Sequence, residues 1–172
     1  MSPHLRPFLA SAALLGLMLT VACQAQQNEP SAPANPLQGV WSLTASDNGD
    51  GSPVIDPSQP GLYIFVEGYY SGVYAPGAEP RVPAEITFQP TPDEMVAQHA
   101  SIIVNTGTYE ISGSTVTFRP IIAKSPGFVG GHATAEFRVV DDMLTLMWQE
   151  TIGEDGTSVL NSGGSLTLRR VE

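Results

Sequence analysis

The chain has 172 residues, with 7 lysines and arginines against 17 aspartates and glutamates, which gives a formal net charge of -10. This balance argues against nucleic acid as a partner, because phosphate binding needs clustered lysine and arginine. Glycine (17 residues) and proline (15 residues) are abundant, as is typical of many short strands joined by turns. Without an N-terminal leader and the segment that follows it, the folded part is about 135 residues, which is the size of one domain.

The first 22 residues are predicted to be a signal peptide. A short basic start precedes an apolar run at residues 8–21, which is too short to span a bilayer comfortably. Residues 19–23 (LTVAC) resemble the lipobox of bacterial lipoproteins, in which the cysteine is lipidated and becomes the first mature residue. The alternative is an ordinary secretory leader that is cleaved after Ala25.

Lipidation of Cys23 would anchor the protein to a membrane, and Gln24 after the cysteine implies, by the same resemblance, transfer to the outer membrane. We therefore expect a periplasmic protein that has crossed the inner membrane. Cys23 is the sole cysteine, so no intramolecular disulfide can form. Residues 23–36 carry almost no apolar side chain larger than alanine and are predicted to be a disordered tether. Residues 37–172 are then the folded domain, which we expect to be a monomer.

From residue 37 onward apolar and polar residues alternate, as in strands with one buried face. In the first strand Trp41 is expected to form the floor of a closed barrel, and Gly39 leaves room against its ring. Seven further strands are predicted at about residues 61–66, 69–74, 102–112, 115–119, 134–139, 143–149 and 166–169, of which the first is apolar on both faces. The sequence therefore predicts an all-β fold, an eight-stranded up-and-down antiparallel β-barrel.

Closure of the barrel places the last strand beside the first. Arg170 is then expected to lay its guanidinium on the indole of Trp41, and Arg169 is the alternative if the last strand carries a bulge. An eight-stranded barrel is either filled by side chains or has space for one small ligand.

One short helix is predicted at residues 92–99. Thr91 is a suitable cap, proline occupies the first helical position, and Glu94 can complete a capping box. Met95 and Val96 are expected to form the apolar face of the helix, which would cover one opening of the barrel.

The order and spacing of several short motifs resemble those of lipocalin-like domain proteins of bacteria and fungi, which are distant relatives of the lipocalins. These motifs are residues 39–43 (GVWSL), 61–64 (GLYI), 68–71 (GYYS), 107–111 (GTYEI), 125–130 (SPGFVG) and 144–146 (LTL). The resemblance implies a small barrel with a cavity for an apolar or amphipathic molecule. Some fungal relatives act as isomerases or cyclases, but Phe118 and Glu136 stand where their histidine and arginine are expected, so catalysis is not carried over.

The predicted ligand-binding residues point into the barrel: Tyr63, Tyr109, Phe118, Phe137, Leu146 and Trp148. His99 and His132 lack partners at a metal-binding spacing. Residues 47–51 (DNGDG) resemble a calcium loop without its closing glutamate, so a plain loop is expected there. No catalytic residue, metal site or cofactor is predicted.

Three functions are compatible with this pattern. The first is a carrier that binds or sequesters a small hydrophobic molecule in the barrel. The second is an interaction module of the envelope without a ligand, which predicts a filled core and an exposed apolar patch. The third is an isomerase or cyclase in which the hydroxyl of Tyr63 or Tyr109 orients a substrate.

Overall fold

A computed structural model describes residues 35–158 and 163–171, in which eight β-strands close into one barrel. The strands are β1 (Gly39–Asp47), β2 (Gly61–Val66), β3 (Tyr69–Tyr74), β4 (Ile103–Ser112), β5 (Thr115–Ala123), β6 (His132–Val140), β7 (Met143–Ile152) and β8 (Ser165–Arg170). Every neighbouring pair is antiparallel, and β8 pairs with β1. The predicted eight-stranded up-and-down barrel is confirmed. The predicted signal peptide, Cys23 and all but the last two residues of the predicted tether lie outside the described residues.

The two ends of the barrel differ in the length of their connections. At one end tight turns at residues 67–68, 113–114 and 141–142 join the strands, and each turn contains a residue with positive φ. At the other end the connections are longer, at residues 48–60, 75–102, 124–131 and 153–164. We refer to the end with the tight turns as the closed end and to the end with the longer connections as the open end.

Trp41 lies at the floor of the closed end and is fully buried. Its Nε1 donates a hydrogen bond of 2.7 Å to the carbonyl of Leu37. The guanidinium carbon of Arg170 lies 4.0 Å from the centroid of the indole, and the same side chain donates hydrogen bonds to the carbonyls of Gln38 and Pro36. Arg170 thus joins the last strand to the first through its contact with Trp41, and to the segment that precedes the first strand through two hydrogen bonds.

The contact expected between Arg170 and Trp41 follows from the register of β1 with β8. The two residues are direct partners, whereas Arg169 pairs with Ser42 and is exposed. The bulge in this pair lies further along β1, after Leu43, so it does not exchange the two arginines. Gly39 has a φ of 128°, a conformation that side chains other than glycine's rarely adopt.

Arg170→Met is expected to lower the free energy of unfolding by about 2 kcal/mol. The variant keeps an apolar stem on the indole but loses the cation–π attraction and the hydrogen bonds from a charged donor. Urea unfolding monitored by tryptophan fluorescence measures the change. Arg169→Met on the same strand is the control and should change stability by no more than about 0.5 kcal/mol. Equal urea midpoints for Arg170→Met and Arg169→Met would contradict the role assigned to Arg170.

Large apolar side chains fill the half of the barrel next to the closed end. Phe65 and Tyr109 meet edge to face, with their ring centroids 5.1 Å apart. Fully buried neighbours in the same cluster are Leu37, Trp41, Val116, Leu144, Leu146 and Leu168.

The helix α1 (Pro92–Ala100) begins as predicted but packs differently. Thr91 and Glu94 form a complete capping box. The predicted packing face is wrong, because Met95 and Val96 are 51% and 70% exposed and no residue of the helix is buried. Two adjacent apolar residues lie about 100° apart around a helix and do not form a stripe. No helix among the described residues is long and apolar enough to cross a membrane.

Candidate functional site

A cavity of about 270 Å³ lies in the half of the barrel next to the open end. Phe118 and Leu166 line it from β5 and β8, and both residues are buried. Its rim is formed by the first residues of the connection that follows β1, including Asn48 and Asp50, which are exposed. The cavity can therefore exchange its contents with solvent through the open end.

Five aromatic rings contribute to the wall, those of Tyr63, Tyr74, Phe118, Phe128 and Trp148. Phe118 and Trp148 lie with their ring centroids 5.5 Å apart, and Tyr63 stacks on Tyr74 at 6.3 Å. The ring of Tyr63 lies directly on the backbone of β3, where Gly72 leaves room for it: a Cβ at Gly72 would come within 2.6 Å of the ring. This close approach sets the position of Tyr63 in the wall.

Several polar groups line this apolar cavity without a hydrogen-bond partner among the described residues. Tyr63 is 1% exposed and Thr151 is 4% exposed, and neither side-chain hydroxyl forms a hydrogen bond. The side-chain amide of Asn105 lies in the same wall and is also unpaired. Unpaired polar groups of buried residues such as Tyr63 and Thr151 are costly, so these groups can gain free energy by bonding to an occupant. Asn105 is half-buried and offers a further hydrogen-bonding group.

Burial sets the protonation state of the tyrosines. It raises the pKa of Tyr63 well above its ordinary value, and the nearby phenols of Tyr74 and Tyr70 raise it further. Burial also raises the pKa of Tyr74 and of Tyr70. At neutral pH the phenol of Tyr63 is therefore a neutral group that can donate one hydrogen bond and accept others.

Two carboxylates stand at the rim. One oxygen of Asp47 accepts a hydrogen bond of 2.9 Å from the backbone N–H of Gly49, and one oxygen of Asp50 accepts from the N–H of Ser52 at 2.9 Å. Hydrogen bonds from the side chain and backbone of Ser52 lower the pKa of Asp50. Within the described ranges, no group of three or more His, Cys, Asp or Glu side chains is arranged to hold a metal ion.

The structure brings three of the six predicted ligand-binding residues to the cavity. Tyr63, Phe118 and Trp148 line it, and Tyr109, Phe137 and Leu146 do not. The barrel interior is divided into a filled half and an open half, whereas the sequence pattern predicts one continuous space.

The three residues that do not line the cavity belong to the filled half. Leu146 is fully buried in the core, and Phe137 packs against that core. The hydroxyl of Tyr109 accepts a hydrogen bond from the side-chain amide of Asn35, which ties the first described residue to the barrel. Its phenol is therefore already paired.

Sequence reasoning missed Asn105 and Thr151. Asn105 shares the inward parity of Tyr109 on β4, so its position could have been recognised from the alternation. Thr151 has the opposite parity to Trp148, and both reach the cavity because the pairing of β6 with β7 shifts between Thr134 and Ala135. Alternation alone does not predict such a bulge.

The comparisons with known proteins give fold-level similarity. No protein-family model matches the sequence, and no curated protein matches it. Among solved structures, the chain is similar to a lipocalin-like protein from Bacteroides uniformis, with 15% identity and a TM-score of 0.44 over 79% of this chain and 99% of the other. It is also similar to an uncharacterized protein from Bacteroides eggerthii, with 14% identity and a TM-score of 0.44 over 78% and 98% of the two chains.

The first of these proteins is described as lipocalin-like, and the sequence motifs of this chain resemble those of lipocalin-like domain proteins. At this identity and TM-score, neither alignment carries an argument about ligand or activity. The architecture rests instead on the pairing of the eight strands, which closes a lipocalin-like all-β barrel with one short helix.

Proposed function

We propose that this protein binds or sequesters one small hydrophobic molecule in its barrel. The observation that carries the proposal is the cavity of about 270 Å³ at the open end, with aromatic walls and a few unpaired polar groups. Small-molecule sites are usually built in this way. An apolar cavity of about 150 Å³ holds one benzene, so the volume suits a molecule of one or two rings.

We place this activity in the periplasm, on a lipoprotein held at the outer membrane through Cys23. The support is the apolar run at residues 8–21, the lipobox-like residues 19–23, and Gln24 after the cysteine. The low content of apolar side chains in residues 24–36 suits a tether between the anchor and the barrel.

The interaction module remains the second candidate because of one observation. Val82, Ile86 and Phe88 are exposed on the connection between β3 and β4, and Phe88 is 96% exposed. This agrees with the apolar patch that the module requires. The interaction module also requires a filled core, and the presence of the cavity is inconsistent with that requirement. We therefore prefer the carrier.

An enzyme of isomerase or cyclase type is the weakest candidate. Tyr63 meets its requirement for a polar group inside an apolar cavity, and Tyr109 does not, because its hydroxyl is paired with Asn35. The raised pKa of Tyr63 suits a hydrogen-bond donor that orients a molecule and does not suit a base.

The proposal is tested by titrating the purified protein with 2-naphthalenemethanol, a neutral two-ring probe, while tryptophan emission is recorded. Saturable one-to-one binding is expected, with a dissociation constant of about 10–100 µM for a ligand of this size. Trp148 lines the cavity and Trp41 does not, so Trp148→Phe should remove most of the emission change. Absence of saturable binding, together with no molecule recovered by solvent extraction and mass spectrometry, would overturn the carrier.

A further inference from the structure

The charged residues that line the cavity are all acidic. Asp47 and Asp50 are lining residues, and none of the lysines and arginines in the described part of the chain is. Arg81 and Lys124 lie on connections at the open end, outside the lining of the cavity. Among the described residues, the charges that line the entrance are therefore negative only.

Other groups that line the cavity suit a positive charge as well. The wall contains the rings of Tyr74, Phe128 and Trp148, and aromatic rings can attract cations through their faces. Tyr63 and Thr151, whose hydroxyls are unpaired, are both more than nine-tenths buried as residues and line the same cavity. Their lone pairs can accept the N–H donors of an ammonium group.

A negatively charged ligand would find hydrogen-bond donors in the cavity but no positively charged lining residue. A carboxylate that entered the cavity would lose water without gaining a cation, and it would approach Asp47 and Asp50. Burial of an unpaired charge is strongly unfavourable. The formal net charge of -10 acts in the same direction at longer range.

We propose that the occupant of the cavity is an amphipathic cation, with an apolar body of one or two rings and a protonated amine. The body packs on Phe118, Trp148 and Leu166, and the ammonium lies towards Asp47 and Asp50 at the rim. This inference rests on the proposed function, that the cavity binds a small molecule, and adds the chemical class of that molecule.

Three probes with the same two-ring body test the preference for a cation separately from the proposed function, which is the binding of a small molecule. They are 2-naphthylmethylamine, 2-naphthalenemethanol and 2-naphthoate, titrated at low salt with a chelator present to remove divalent cations. We expect the amine to bind about tenfold more tightly than the alcohol, and the carboxylate at least about tenfold more weakly than the alcohol. Saturable binding of the alcohol with no preference for the amine would overturn this inference and leave the carrier intact. Absence of binding by all three would overturn both.

A double variant, Asp47→Asn with Asp50→Asn, tests whether the preference arises at the rim. Asparagine keeps the side-chain oxygen that accepts from Gly49 or Ser52, so the loop should be preserved. The affinity for the amine is expected to fall about tenfold, and the affinity for the alcohol should stay within about twofold.

The matched control removes two charges at the far end of the barrel. Asp141→Asn with Asp142→Asn makes the same change in net charge at the closed-end turn between β6 and β7, and asparagine tolerates the positive φ of Asp141. This control should leave the affinity for the amine within about twofold. An equal loss in both double variants would overturn the assignment of the preference to the rim.

Discussion

Ala133→Phe is expected to reduce the affinity for the naphthyl probes at least about 100-fold, while the protein stays as stable as before or gains about 1 kcal/mol. Ala133 is buried on β6 and lines the cavity. A phenyl ring needs about 150 Å³, which is more than half of the 270 Å³ that is free. Filling a cavity commonly adds about 0.5–2 kcal/mol of stability. Probe titration and thermal unfolding of the same sample measure the two effects.

Two neighbours on β6 are controls for this substitution. Thr134 follows Ala133 and has the opposite parity, so Thr134→Phe should leave both affinity and stability nearly unchanged. Ala135 is fully buried and lies outside the cavity lining, so Ala135→Phe should cost about 1–3 kcal/mol through overpacking. If Ala133→Phe bound the probes as the native protein does, the binding site would have to lie elsewhere.

Gly107→Ala is expected to destabilise the barrel by about 3 kcal/mol or more. A Cβ at Gly107 would lie 2.0 Å from the carbonyl oxygen of Arg119 and 2.7 Å from the Cα of Pro120. Both are backbone atoms of the neighbouring strand β5. The clash can therefore be relieved only if β4 and β5 separate, at a site where their pairing already shifts. Overpacking that moves backbone costs about 1–3 kcal/mol, and occasionally more. Urea unfolding measures the loss.

Gly127→Ala is the control for Gly107→Ala. A Cβ at Gly127 would meet no atom within 4 Å, so this variant should be neutral or gain up to about 1 kcal/mol from the reduced entropy of the unfolded chain. Similar stabilities for the two variants would show that the close contact between β4 and β5 is relieved at little cost.

Alternation of side chains was sufficient to predict the strands and their order. Trp41 and Arg170 could be matched across the closing pair because parity and antiparallel register determine which residues face each other. The helix start could be predicted because a capping box is a local interaction between Thr91 and Glu94. Each of these features depends on neighbours in sequence or on one strand pair.

The division of the interior could not be predicted in the same way. It depends on the summed volumes of side chains from eight strands, so Leu146 falls in the filled half and Trp148, two residues later, in the open half. The inward position of Thr151 depends on a bulge. The predicted packing of the helix was wrong because Met95 and Val96 are both more than half exposed. All three depend on three-dimensional packing that alternation does not encode.

Hydrogen bonds at the closed end fix where the described chain enters and leaves the barrel. Arg170 bonds to the carbonyl of Pro36, and the N–H of Val171 bonds to the carbonyl of Val40 at 2.8 Å. Both chain ends of the domain therefore emerge on the side opposite the cavity. A sensor surface, a purification tag or a fused reporter attached at either terminus should leave the entrance facing bulk solution, so binding kinetics can be recorded on immobilised protein without obstruction of the site.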